Sequence, residues 1–397
     1  MKANIEIRKE FPFINQGIIY MDSAATSLKP NCVIDSQSEY YKTMTVNVGR
    51  GSSIHNFNTT NIVEKTRNTI AQYLNITDET QVIFTQNSTD SINMVANGWV
   101  RQNITSNSNI VITQLEHHSN YVPWIELCKE LNIECRIVPL ENYEINYSKL
   151  IEYINEHTLI TAITGMSNIT GIETNLEVVT NRCREVGSKI IIDAAQLIVH
   201  KRIDIQQLDP DFLVFSAHKL YGPFGLGILY GKKNLLEEMT PVRYGGNMVS
   251  YTSNLTNIHY KDIPFRLESG TQNPAAIYSF SSVFNFIKDY DIEETENYIK
   301  GLSTYLIHKL KEEGDIIVYS QPGSIISFNI QGVHPHDASQ FFDEKNIILR
   351  TGNLCASPFF ANLEESGVIR VSLGVHNNIE EIDTLLIAIK EIKGFFL

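Results

Sequence analysis

The run Asp211–Tyr230, DFLVFSAHKLYGPFGLGILY, decides how the rest of the chain is read. Its first residues predict a buried strand over Phe212–Ser216. The strand is nearly continuous in apolar residues rather than alternating, the pattern of a sheet covered on both faces. Lys219 follows at the strand end, then a turn carrying Gly222, Gly225 and Gly227, then a second apolar strand. A lysine so placed either snorkels its ammonium out to water or is desolvated, which lowers its pKa and makes the amine a nucleophile. Ser216 and His218 flank it with groups able to bond a phosphate. The glycines are read as letting the backbone pass close to a ligand.

Strands of the same texture recur outward from this run: Gln81–Thr85 (QVIFT), Asn109–Thr113 (NIVIT), Ile160–Thr164 (ITAIT) and Lys189–Asp193 (KIIID). Helical patterns lie between them. Asn61–Leu74 sets Ile62, Val63, Thr66, Ile70 and Leu74 on one face. Ser88 or Thr89 is a suitable cap for a helix running to Val100, and Gly187 closes a helix over Asn175–Val186. Strand–helix alternation of this kind predicts an α/β domain with a mostly parallel sheet. Past about residue 274 longer helical patterns flank short strands such as Ile325–Ile330, and the tail Asn377–Gly394 reads as a helix. The expected organisation is a large domain over 21–274 and a smaller α+β domain over 275–397, joined by the N-terminal segment 1–20.

The chain has 397 residues, 43% of them hydrophobic, and a formal net charge of −13. Such a surface repels nucleic acid and anionic lipid, and no Lys/Arg-rich tract overrides it. There is no apolar run long enough to cross a membrane and no signal-like stretch at the start, so a cytoplasmic protein is expected. The five cysteines are odd in number and form no CxxC pair, so neither a disulfide framework nor a zinc site is expected. Cys32, Cys128, Cys135 and Cys183 fall in helical or strand segments as small hydrophobes. Cys355 falls in a loop.

Asp193 ends the strand KIIID and is followed by Ala194-Ala195-Gln196. The C-terminal edge of a parallel strand is where such sheets bind ligands. A carboxylate there can pair with a protonated pyridine nitrogen, keeping the ring cationic and an electron sink. Gln86-Asn87-Ser88-Thr89 follows a strand and opens a helix, whose N-terminal amides suit a phosphate. His117-His118 follows the strand NIVIT, so one imidazole is placed to stack on the ring. A metal role is disfavoured, because no third ligand has fitting spacing. The conjunction of Asp193-x-x-Gln196 with Ser216-x-His218-Lys219 is far more specific than either part.

Together these residues resemble the class V aminotransferase family of pyridoxal 5′-phosphate (PLP) enzymes, fold type I. Within it they are similar to the cysteine desulfurase and selenocysteine lyase branch, of the SufS/CsdA type. The resemblance covers nearly the whole chain. It rests on Tyr20–Ala25 (YMDSAA), Glu116–Trp124 (EHHSNYVPW), Asp193–Gln196 (DAAQ), Phe215–Pro223 (FSAHKLYGP), Gly245–Met248 (GGNM), Glu268–Asn273 (ESGTQN) and Arg350–Pro358 (RTGNLCASP). It implies a seven-stranded, mostly parallel sheet between helices, with PLP as a Schiff base on Lys219. It further implies Asp193 on the pyridine nitrogen, Gln196 on the ring hydroxyl and His117 stacked on the ring. Ser88, Thr89, Ser216 and His218 would bind the phosphate. Thr271 would do so from the other subunit of a homodimer. Arg370 would take the substrate carboxylate, with Asn168, Arg350 and Arg50 as neighbouring substrate contacts.

Cys355 matches the desulfurase nucleophile, so the activity implied is conversion of L-cysteine to alanine, with a persulfide passed to an acceptor. Lys219 would serve as the base at Cα. Sulfur mobilisation of this kind includes iron–sulfur cluster assembly, but neither pathway nor acceptor is legible. Selenocysteine would follow the same route. Asn353-Leu354 stands where many relatives carry histidines, Gly49 where they often carry histidine, His55 one residue late, and Gln272 in place of a usual proline. Another class V aminotransferase, epimerase or β-lyase therefore stays open as an alternative, whereas the intact set of Lys219, Asp193, His117 and Arg370 argues against a catalytically silent scaffold.

Overall fold

Seven strands form one sheet in a computed structural model of the chain, which describes residues 4–49, 51–289, 292–361, 363 and 365–397. They are β1 (Val82–Thr85), β2 (Asn109–Thr113), β3 (Glu134–Val138), β4 (Thr158–Thr164), β5 (Lys189–Asp193), β6 (Phe212–Ser216) and β7 (Gly227–Gly231), in the order β1-β7-β6-β5-β4-β2-β3. From β6 to β3 every neighbour is parallel, while β7 runs antiparallel to both β6 and β1. Successive residues feed opposite cores. Leu213, Phe215, Ile190, Ile192 and Ile228 join one buried cluster; Phe212, Val214, Ile191 and Leu229 join the other. This two-sided burial is why the strands read as unbroken apolar runs.

Three of the strands predicted for this sheet match residue for residue: Asn109–Thr113, Lys189–Asp193 and Phe212–Ser216. Edge strand β3 escapes sequence reading because Glu134 and Arg136 interrupt it on its open side, as is usual where an edge must resist further pairing.

The helices that frame the sheet include α1 (Asn31–Thr43), α2 (Ile54–Tyr73), α3 (Ser88–Val95) and α4 (Leu176–Val186). Helix α2 starts seven residues before the predicted one, because Ser53 caps it by accepting from the Asn56 amide at 3.2 Å. Its first turns are mostly solvent-exposed and carry no core periodicity. Helix α3 is capped by Asn87, whose side chain accepts from the Asp90 amide at 2.9 Å, rather than by Ser88 or Thr89. It continues as a π-helical turn through Val100. Arg67 on α2 makes a bidentate ion pair with Glu268 (2.7 and 3.0 Å), both side chains being almost fully buried. Glu268 also accepts from the Phe84 amide at 2.7 Å, so the pair ties α2 to β1 and to the loop that presents Thr271. Arg67→Met would strand a buried carboxylate. It is expected to cost about 3–5 kcal/mol, read as a lowered urea midpoint.

A second, antiparallel sheet follows in the order β8 (Ile316–Val318), β9 (Ile325–Ile330), β11 (Val368–Ser372), β10 (Arg350–Gly352). Helix α5 (Pro274–Lys288) packs on α1 and α2. Helices α6 (Ile292–Glu312), α7 (Pro335–Glu344) and α8 (Ile379–Phe396) supply a third buried cluster with this sheet. Near the N-terminus, Ile19–Tyr20 pairs in parallel with Ile347–Ile348, and Asp22 bridges Ser372.

Fully enclosed His376 sits at this junction, its Nε2 bonded to the Tyr20 carbonyl at 3.0 Å. Burial pushes its pKa down to about 4, whereas the unfolded chain has an ordinary value near 6.5. The neutral imidazole therefore stabilises the fold fully above about pH 6.5, and that contribution is lost as pH falls toward 4. His376→Gln is expected to flatten the slope of stability against pH between 6 and 4.5 by about 1.4 kcal/mol per unit. Urea titrations across that range check it, and parallel slopes for variant and wild type would show that His376 already carries its proton when folded.

Candidate active site

Lys219 lies just beyond the C-terminal end of β6, beside Asp193 at the end of β5. Enclosure pushes its ammonium down to about 8, against the opposing pull of Asp193 and with a further push from Arg370 and Arg350. Asp193 is buried, which raises its carboxyl pKa, while Lys219 and the Ala195 amide (3.0 Å) favour the anion. A free amine is therefore within reach near neutral pH, next to a carboxylate whose charge only a cation can balance.

The backbone turn under Lys219 is heavily tied. The His218 carbonyl accepts from the Ser27 amide and from the Lys29 ammonium at 2.7 Å. That ammonium is itself enclosed, its pKa pushed down to about 7 by burial, and it stands 4.9 Å from the Phe224 ring centroid.

The glycines of the turn serve close protein packing more than ligand approach. A Cβ on Gly222 would meet the Phe280 ring at 2.4 Å, and one on Gly227 would meet the Asn87 backbone at 2.5 Å. β7 is thereby pressed beneath the turn that opens α3. There the Ser216 hydroxyl accepts from the Ser88 amide at 2.8 Å and bonds the Ser88 hydroxyl at 2.8 Å. Thr89 bonds Ser119 at 2.7 Å, and Ser119 bonds His117 Nδ1 at 3.0 Å. Since His117 Nδ1 also accepts from the Ser119 amide (3.1 Å), its proton sits on Nε2. Burial first, then Lys219, push the His117 pKa down to about 3, so the ring is neutral at physiological pH.

Two arginines define the far wall. Arg350 on β10 and Arg370 on β11 are direct cross-strand partners, a like-charge opposition that destabilises a sheet on its own. Asp22 is inserted between them. It accepts from Arg370 at 2.9 Å and from Arg350 at 2.8 Å. One carboxylate against two guanidiniums leaves one positive charge, and the Arg370 Nε is buried without a protein partner. Arg370 also donates to the Asn168 carbonyl at 3.0 Å. No local spacing in the sequence marks Asp22, since its partners lie more than three hundred residues away. The only signal for it was its place inside YMDSAA.

Cys355 is exposed, on a loop near enough to Lys219 and Arg350 to favour both cations. Gln196 donates its amide to the Ala24 carbonyl at 2.8 Å, and Asn168 donates to the Leu354 carbonyl at 3.0 Å. Thr271 is solvent-exposed in the loop before α5, and no hydrogen bond among the described residues joins it to Lys219, Ser88 or Ser216. Arg50 lies outside the described residues.

The set suits a phosphorylated pyridine aldehyde. Among the described residues, four buried polar atoms of the residues named above and of Ser23 lack a protein partner: His218 Nδ1, Asn168 Oδ1, Arg370 Nε and Ser23 Oγ. Each needs a polar group to bond. A helix N-terminus with two hydroxyls, a buried carboxylate and a lysine supply the matching ends for phosphate, ring nitrogen and aldehyde.

Comparison with known proteins agrees in fold and in length. The family model described as aminotransferase class-V matches residues 19–385. The cysteine desulfurase of Salmonella agona (strain SL483) is 34% identical over 395 residues, covering 98% of this chain and 97% of that protein. The crystal structure of the cysteine desulfurase CsdA of Escherichia coli, in its S-sulfonic acid form, superposes with a TM-score of 0.94 at 32% identity, covering all of both chains. A C-DES variant, described with glycine covalently linked to its PLP cofactor, shares the fold at a TM-score of 0.83 and 20% identity. It covers 96% of this chain and 98% of that one.

Proposed function

The chain belongs to the aminotransferase class-V family, and from that premise we propose that it is a PLP-dependent cysteine desulfurase. In this reading it converts L-cysteine to L-alanine and leaves a persulfide on Cys355. The observation that carries the reading is the closeness to one enclosed lysine of an exposed thiol and of an arginine pair with one uncompensated charge.

Lys219, Asp193, Gln196, His117, Ser88, Thr89, Ser216 and His218 would hold the cofactor. When bound, PLP supplies the aldehyde that takes the substrate amine and the cationic ring that accepts electrons from Cα. The protein does the rest. Arg370, steadied by Asp22 and the Asn168 carbonyl, fixes the substrate carboxylate and so selects the bond to be cleaved. The Lys219 amine, with its pKa near the working pH, takes the Cα proton. His117, neutral and aromatic, would cover one face of the ring. The Cys355 thiolate attacks the substrate sulfur. The S–S bond forms as the Cβ–S bond breaks, and Cβ gains a proton to give alanine.

A homodimer belongs to the same reading, with Thr271 offered to the partner. In its support, Thr271 is exposed, and the nearby hairpin of Val249–Thr252 and Ile258–Tyr260 shows Tyr251, Leu255 and Ile258 to solvent. A cytoplasmic setting is supported by the five free thiols, which an oxidising compartment would threaten. No helix among the described residues is long and apolar enough to cross a membrane. The division at 274/275 is supported by the two separate sheets, although α5 leans on the large-sheet side. The direct test incubates the PLP-loaded protein with L-cysteine, L-selenocysteine and other amino acids and measures alanine, sulfide and selenide. Equimolar alanine and reducible sulfur from L-cysteine support the reading. Transamination or racemisation without sulfur release overturns it.

A further inference from the structure

The loop that carries Cys355 is held in an unusual conformation. Leu354 and Cys355 are consecutive non-glycine residues at φ 53° and 55°, a left-handed pair that persists only where its surroundings impose it. Leu354 and Ala356 are buried on either side of the exposed thiol. The Asn353 side chain accepts from the Cys355 amide at 3.2 Å, and the Asn353 carbonyl from the Ala356 amide at 2.9 Å. Both bonds are local and would travel with the loop.

The contacts that fix the loop to the rest of the protein come from Asn168, at the Leu354 carbonyl (3.0 Å), and from His118. His118 grips twice. Its backbone amide donates to the Cys355 carbonyl at 2.7 Å, and its Nε2 accepts from the Ser357 amide at 3.1 Å while bonding the Ser357 hydroxyl at 2.7 Å. Accepting from a backbone N–H requires a lone pair on Nε2, so the imidazole is neutral with its proton on Nδ1. Partial burial favours that neutral form by lowering the pKa.

We propose that His118 is the positioning residue for Cys355. It touches neither substrate nor cofactor in this role. It locks the peptide groups on both sides of Ala356 to the turn that carries His117, so the thiol is held in a fixed relation to that turn. This rests on the desulfurase reading for its functional meaning, but the clamp itself is a property of the free thiol.

The test compares His118→Ala, His118→Asn and His118→Gln in the PLP-loaded enzyme. A glutamine oxygen reaches about as far as Nε2 and accepts from the Ser357 amide; an asparagine is too short. Two quantities are read: the rate of iodoacetamide alkylation at Cys355 by mass spectrometry, and kcat and KM for alanine formation. The Ala and Asn variants are expected to alkylate at least 5-fold faster. Their kcat should fall at least 10-fold with KM within 3-fold, and the visible absorbance of the bound cofactor should be retained. The Gln variant should lie within 3-fold of wild type in both readouts. Wild-type values in the Ala and Asn variants overturn the proposal, as does a Gln variant as impaired as the Asn variant. If His118→Ala does not fold, the Asn and Gln pair decides by itself. A wild-type enzyme that makes no alanine defeats the desulfurase reading, while the alkylation ratios still decide the clamp.

Discussion

A Lys219→Ala variant is expected to lose the visible absorbance of lysine-bound cofactor and to turn over L-cysteine at least 10³-fold more slowly than wild type. The magnitude follows from two losses at one residue. The covalent anchor goes, and so does a proton acceptor that by itself contributes about 10²–10⁴-fold. The electrostatics explain why no neighbour substitutes. Lys29 is the other enclosed lysine with a lowered pKa, but its ammonium is committed to the Ser27 and His218 carbonyls on the outer side of the turn. His117 is pushed so far toward neutrality that it is a poor base at neutral pH. Removing Lys219 also removes the one covalent bond expected to hold the cofactor, so weaker PLP retention is expected alongside the lost rate. Absorbance spectra, cofactor content after gel filtration and single-turnover alanine formation check all three. Retention of more than a tenth of wild-type turnover would remove Lys219 from the role of base.

The second large effect is expected at Cys355. Cys355→Ala should keep the cofactor spectrum, the affinity for L-cysteine and the thermal midpoint close to wild type. Persulfide formation should fall by at least 10²-fold. The side chain is exposed, so its removal opens no cavity. The loop is shaped by backbone contacts from His118, Asn168 and Asn353, which alanine leaves in place. Alanine is less costly than a β-branched residue at a φ of 55°, where branching adds strain; Cys355→Val would therefore confound lost chemistry with a disturbed loop. Reducible sulfur on the protein, measured after a single addition of L-cysteine, is the readout. If alanine and protein-bound sulfur still form in the Cys355→Ala variant, the nucleophile lies elsewhere.

The Asn353-Leu354 pair, a departure from relatives in sequence, takes on a structural meaning at this loop. Leu354 is a buried plug and Asn353 an Asx-type brace. The pair shapes the thiol's perch from the inside, where histidines would present imidazoles. Asn353, Cys355 and Ser357 are the residues this loop exposes.

How much of this was legible beforehand differs from residue to residue. The strand FLVFS, the lysine after it and the DAAQ turn were readable because period, burial and local spacing are properties of the chain itself. A strand buried on both faces must be apolar throughout, and the ligand edge of a parallel sheet must fall at its C-terminal ends. Asn87 is as suitable a cap by residue type as the two hydroxyl residues beside it, and only the fold shows that Asn87 takes the role. Those hydroxyls instead face Ser216 and Ser119.

Other features were beyond any local rule. Arg350 and Arg370 are twenty residues apart, and only the register of β10 with β11 sets them opposite each other. Asp22 reaches them from more than three hundred residues away, through a segment that runs beside the second sheet. His118 and Ser357 meet across a similar distance. The sequence by itself therefore determined the sheet's doubly buried strands, the lysine and the charge at the neighbouring strand end, since each is written in residues that are neighbours along the chain. Only the tertiary structure decided how the substrate's carboxylate would be met and how the thiol is held. Those depend on strand register and on contacts between distant segments, and long-range geometry is fixed by the packing of the whole chain rather than by the residues on either side.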